Sequence, residues 1–117
     1  MKVLVLLAEA DPEAWDHATE AQRLEVFAAH DRFSAAAEAR GSIVGGEALA
    51  RVAEARTLRT VQGQRQVTDG PFAETVEQLG GFYLLEVDSV DAALEICHLL
   101  PAGYTVEVRP VVEIDAV

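Results

Sequence analysis

This sequence predicts an α+β domain in which one antiparallel sheet carries two helices on a single face. Three observations predict it. The chain opens on an unbroken apolar run, two helical segments separate the strand-like runs, and the order along the chain is strand, helix, strand, strand, helix, strand. Met1-Lys2-Val3-Leu4-Val5-Leu6-Leu7 is too short for a buried helix and too apolar for a half-exposed strand, so it reads as a central strand with both faces covered. From about Pro12 to Arg40 the chain is rich in alanine and glutamate and holds no internal glycine or proline, which predicts helix, broken once near Trp15 to Thr19. Val26, Phe27, His30, Phe33 and Ala37 recur at spacings of three and four and so share one stripe, with Glu25, Arg32 and Glu38 off it. Gly41 is placed to end this helix as a glycine just beyond its last turn.

Ser42-Ile43-Val44 is read as a short strand stopped by Gly45-Gly46. Arg56 to Val61 and Gln64 to Thr68 flank Gln62-Gly63 and read as a hairpin inserted between the second and third sheet strands. Asp69-Gly70-Pro71-Phe72 leads to a short expected helix over Ala73 to Leu79. Gly80-Gly81 then precede a second doubly apolar strand, Phe82 to Val87. A helix is expected from about Ser89 to Leu100, capped by Asp88 or Ser89, with Ala93, Leu94, Cys97 and Leu100 inward and Asp91, Glu95 and His98 outward. The last strand, Tyr104 to Ile114, alternates, with Val106, Val108, Val112 and Ile114 on one side and Glu107, Arg109 and Glu113 on the other. Pro110 marks it as an edge or a bulge. With the hairpin set aside, this is the split order of a ferredoxin-like βαββαβ fold. Its helix-free face stays apolar on the two central strands, and a second copy of the chain is the simplest cover.

The chain has 117 residues, enough for a single domain over 1–117 with one core. A net charge of -11 repels a phosphate backbone, and no basic stripe alternates with aromatics, so nucleic acid is an unsuitable partner. The apolar run Val3 to Ala8 is too short to span a membrane and lacks signal-peptide features, which places the protein in the cytoplasm away from any membrane. One cysteine, Cys97, excludes an internal disulfide and reads as a core residue. The three histidines have no ligand spacing, and neither a phosphate loop nor a nucleophile elbow is present, so no metal and no cofactor is expected.

Val67-Thr68-Asp69-Gly70-Pro71-Phe72-Ala73-Glu74-Thr75, then Glu77-Gln78-Leu79-Gly80-Gly81-Phe82, and Val106-Glu107-Val108-Arg109-Pro110 resemble the signature of the DGPF branch of the YCII-related proteins. The resemblance also takes in the opening strand, Gly45 to Leu49 and Asp88 to Leu94. It implies a dimeric α/β-barrel, a homodimer whose two sheets face each other around a cleft that accepts a small-molecule ligand. It further implies a catalytic pair, His30 with Asp69, and Gly70 is expected to aim Asp69 inward. The lysine common after the motif's threonine in relatives is Val76 here, so its role does not transfer.

A histidine beside a carboxylate is a workable general base, whereas the same residue on a core stripe is equally explained as a buried group satisfied by one polar neighbour. Asp69 before glycine is also an ordinary turn residue. Phe72, Arg59 and Arg109 are the candidate substrate contacts. Phe72 reads otherwise as a buried anchor. Arg59 belongs to the one locally basic stretch, Arg51, Arg56, Arg59 and Arg65 against Glu54, which either steers an anion or forms salt bridges on a solvated hairpin. Arg109 lies on the helix-free face, where Glu107 or Glu113 would pair with it. Two functions stay open: a cofactor-independent acid/base enzyme acting by elimination or isomerisation, and a non-catalytic dimeric ligand-binding or regulatory module. Through the resemblance, the second is tied to extracytoplasmic-function sigma factors.

Overall fold

The computed structural model describes residues 1–73 and 75–115. Strand β1 (Lys2–Glu9) leads through a one-turn helix α1 (Ala14–His17) into the long helix α2 (Glu20–Arg40). Then come β2 (Ser42–Ala48), a 3-10 turn at Val52–Glu54, β3 (Arg56–Val61) and β4 (Gln64–Asp69). The chain closes with β5 (Gln78–Glu86), α3 (Val90–Cys97) and β6 (Tyr104–Pro110). The main sheet has the order β2-β5-β1-β6 and is antiparallel throughout, the ferredoxin-like arrangement, while β3 and β4 pair only with each other.

β1 is central and two-faced. Val3, Val5 and Leu7 are buried beneath the helices with Phe33 and Ala37 of α2, Ala93, Ile96 and Cys97 of α3, and Leu85 of β5. Cross-strand partners share a face, so Tyr83 opposite Val5, and Val106, Val108 and Tyr104 opposite Leu7, Val5 and Glu9, also point toward the helices. Leu4 and Leu6, opposite Leu84 and Phe82, form the other face, which no helix covers.

The break between the first two helices has a cause in the sequence. The Thr19 hydroxyl accepts from the Gln22 backbone N–H (3.1 Å) while the Gln22 side chain accepts from the Thr19 N–H (2.8 Å), a reciprocal cap that starts α2 afresh. On that helix Ala29, Phe33 and Ala37 are the buried stripe. Phe27, expected on it, is 55% exposed and packs edge-on against Trp15 at 5.4 Å, with Arg23 over the other ring. In α3, Ser89 caps the Ala92 N–H (3.0 Å), and Ala92 and Ile96 join the core in place of Leu94, which is exposed. The helix ends at Cys97, and the next residues turn so that Leu100 still reaches the core. β6 ends at Pro110 on the sheet edge, so Val112 and Ile114 lie beyond the ladder and in solvent.

The glycines act differently from their sequence reading. Gly41 has an extended backbone (φ 173°) and no left-handed cap geometry; glycine is required because a Cβ there would overlap the Glu86 carbonyl oxygen. Gly45-Gly46 do not stop β2, which runs through them past a bulge between Ile43 and Gly45. A Cβ on Gly46 would come within 2.8 Å of the Tyr83 ring, so its absence makes room for that side chain. Gly80-Gly81 lie inside β5, and the short helix expected over 73–79 is not formed among the described residues, where Gln78 and Leu79 instead open the strand. Glu74 lies outside the described residues. The hairpin forms as read, with Gln62 (φ 51°) and Gly63 (φ 77°) making the two-residue turn that needs positive φ at both positions.

Two substitutions separate these roles. Gly41→Ala is expected to lower stability by about 1 to 3 kcal/mol, the usual range for overpacking. Gly45→Ala, whose added carbon meets nothing within 4 Å, should stay within about 0.5 kcal/mol of the wild type. Melting curves of the two variants measured together test the contrast.

Candidate functional site

His30 follows the buried Ala29 on α2 and stands over the inward face of the sheet near the ends of β1 and β6. Its Nδ1 lies 2.7 Å from the Tyr83 hydroxyl and its Nε2 3.1 Å from the Tyr104 hydroxyl. The rings pack at centroid distances of 5.9 and 5.7 Å, and Phe33 backs Tyr83 at 4.6 Å. Each tyrosine is inward because the strand alternation leaves it no other direction, and an inward hydroxyl needs a polar partner. The histidine supplies that partner to both.

Burial holds the His30 imidazole below its ordinary range, against a smaller opposing pull from the Asp31 carboxylate. Burial pushes both tyrosine hydroxyls up, and Glu9 adds to this at Tyr104. The resting cluster is therefore a neutral imidazole between two protonated phenols. A neutral ring has one N–H donor and one bare nitrogen acceptor. One tyrosine must donate to the ring and the other must accept from it, so the second directs its own O–H to a different acceptor, and at Tyr83 Ser34 is such a neighbour.

Glu9 opposes Tyr104 in the β1–β6 register, and its carboxyl group lies against the backbone of Gly80, where a side chain would overlap it. Burial raises its pKa, with Arg51 pulling the other way. Arg51 is tied to Asp16 by an ion pair that lowers the aspartate's pKa. Glu9 and Arg51 line a cleft of about 460 Å³, with Leu49, Thr75, Gln78 and Leu79 completing its walls. This cleft sits where the chain leaves the sheet for the hairpin and where it returns.

Of the residues read from the sequence, His30 belongs to this cluster and Asp69 does not meet it within one chain. Asp69 ends β4 with its carboxylate 88% exposed and 3.3 Å from Arg56 Nε. Gly70 does hold a positive φ of 99°, the geometry glycine favours. Phe72 is 77% exposed and anchors nothing in the chain; Arg59 donates to its carbonyl oxygen. Arg109 lies on the helix-free face opposite Leu4, paired with Glu107 at 2.5 Å. Cys97 is buried with its thiol pushed up to about 11, so it is unreactive. No group of three or more metal-ligating side chains occurs among the described residues, and no helix there is long and apolar enough to cross a membrane. Tyr83, Tyr104 and Glu9 were missed in the sequence, although tyrosines on the inward alternation facing a helix-borne histidine carried the signal.

A ferredoxin-like sheet with a half-buried histidine cluster on its helical side defines a small α+β domain, and its relatives can be named. The YCII-related domain matches residues 1–115, and the chain belongs to that family. An uncharacterised protein of Rhizobium meliloti (strain 1021) is 50% identical over 60 residues, a match that spans 48% of each chain.

The cluster has a pH signature. Because the folded chain resists charging His30, the unfolded chain takes up the proton first as pH falls. The stability that depends on the neutral ring is complete above the ordinary histidine pKa of about 6.5 and is lost as pH drops through that value toward the folded one. His30→Gln is expected to flatten the fall in melting temperature between about pH 7 and about pH 5 relative to the wild type. An unchanged slope would mean that His30 titrates alike in both states.

Proposed function

We propose that this protein is a homodimer of the DGPF branch that moves a proton on a small organic molecule without a cofactor, using His30 as the carrier. The observation that carries the reading is the neutral, half-buried imidazole bridging two phenolic hydroxyls, one of which, Tyr104, stands opposite the cleft residue Glu9. In an elimination or isomerisation a substrate proton passes to a tyrosine oxygen while that tyrosine gives its own to the bare His30 nitrogen. In an isomerisation the reverse movement returns the proton to another carbon of the product; in an elimination the leaving group departs with the C–H electron pair closing the double bond, and the reverse movement gives the proton to that leaving group or to water. Glu9, rather than Asp69, is the carboxylate whose register sets it next to Tyr104. Asp69-Gly70-Pro71-Phe72 supports the branch assignment. Leu4, Leu6, Phe82 and Leu84, a continuous apolar patch with no helix over it, support the dimer.

A second reading has its own support. Both ring nitrogens of His30 already have partners, which is how a purely structural histidine is satisfied. The protein would then be a ligand-binding or regulatory dimer, of the kind associated with extracytoplasmic-function sigma factors.

Light scattering at micromolar concentration is expected to return the mass of two 12.6 kDa chains; the mass of one chain refutes the dimer. His30→Asn and Tyr104→Phe separate the two functions. Proton transfer predicts loss of turnover in both variants with the dimer still folded. A structural cluster predicts instead a loss of about 1 to 3 kcal/mol of stability from each unsatisfied partner, with ligand binding retained.

A further inference from the structure

We infer that the hairpin β3–β4 is an exchange arm, which packs on the helix-free sheet face of a second copy while the partner's arm packs on this one. The inference rests on the homodimer proposed above and adds the element that clasps it.

Among the described residues no other strand pairs with the arm. It forms a separate two-stranded sheet, and every residue of both strands except Thr57 is exposed. A two-stranded hairpin is at best marginally stable alone in water. The chain as a whole is flat and extended, 49 × 47 × 18 Å with a radius of gyration of 16.4 Å. A compact chain of this length has a radius of about 13 Å.

The arm also has a face built for contact. Leu58 and Val67 stand directly opposite each other, 53% and 54% exposed. On the same side of the ribbon Arg65 lies toward the tip, opposite Thr60, and Arg56 lies toward the base, opposite Asp69. An apolar centre is thus flanked by Arg65 on one side and by the Arg56–Asp69 ion pair on the other. The helix-free sheet face has an apolar centre of its own. Leu4, Leu6, Phe82 and Leu84 fill its middle strands, Glu47 stands on the outer strand β2 opposite Phe82, and on β6 Glu107, opposite Leu6, is paired with Arg109 on the same face. Two bodies of a chain with net charge -11 repel, and the arm, residues 56–69, holds Arg56, Arg59 and Arg65 against Asp69, so it offsets that repulsion where the copies meet. Reciprocal exchange about a two-fold axis uses each arm and each face once and closes the assembly.

Leu58→Lys with Val67→Glu tests the arm, since both side chains are exposed and an opposite-charge pair across the strands keeps the hairpin paired while removing its apolar surface. Sedimentation over a concentration series is expected to show a wild-type dimer and a double variant with its dissociation constant raised about 100-fold or more, with circular dichroism unchanged. Hydrogen exchange is expected to show the wild-type amides of residues 56–69 gaining protection as concentration rises. A wild-type dimer whose variant dimerises equally well, or whose arm amides stay unprotected, overturns the exchange arm and leaves the dimer. A wild-type monomer overturns both.

Discussion

The structure depends on one strand being apolar on both sides. Inward, Val3, Val5 and Leu7 give the two helices something to bury against. Full burial of one such side chain is worth about 1.5 to 3 kcal/mol. The ion pairs, by contrast, all join side chains that are substantially exposed, Arg32 with Glu25 and Arg40 with Glu95 among them, and exposed pairs contribute about 0 to 1 kcal/mol each. The core therefore holds the fold and the charges decorate it. The N-terminus is fixed into the same arrangement, its ammonium donating to the Glu86 carboxylate and the Val87 carbonyl oxygen. Outward, the same strand offers Leu4 and Leu6 to whatever covers the sheet.

The site follows from the register of that strand. Tyr83 points inward because it opposes Val5, and Tyr104 because it opposes Glu9, so two hydroxyls converge below α2 without a loop to position them. Groups carried on regular elements are held more rigidly than groups on loops. Burial that seats the cluster also keeps it neutral. Packing and protonation state are one property here.

Much of the architecture was legible from the sequence because it is local. The two-sided runs at Val3 and Phe82, the hairpin turn at Gln62-Gly63 and the helix break before Glu20 each depend on neighbours in sequence. The errors fell where a residue answers to a distant one. Gly41, Gly46 and Gly80 looked like chain punctuation, but each clears space for an atom on another strand: the Glu86 carbonyl, the Tyr83 ring and the Glu9 carboxyl. Phe27 matched the core periodicity yet turned to Trp15, a residue on a helix that the sequence left as a break. The partner of His30 could not be chosen by spacing, since Tyr83 and Tyr104 lie 53 and 74 residues away.

The position of the cleft links the two proposals physically. Its walls include Leu49 and Arg51, where the chain departs for the hairpin, and Thr75, Val76 and Gln78 to Gly80, where it returns. These segments are tied across by the hydrogen bond from the Leu49 N–H to the Gly80 carbonyl (2.9 Å), and Gly80 in turn borders Glu9. An arm held by a second copy fixes both departing strands and with them two walls of the cleft. A free arm leaves those walls to fluctuate. If the partner holds the arm, a molecule that binds the ordered cleft more tightly than the loose one must strengthen the dimer by the same factor, because coupling between two binding equilibria is reciprocal. The arm would then make the His30 cluster beside Glu9 a property of the pair of chains, even though every side chain in it comes from one.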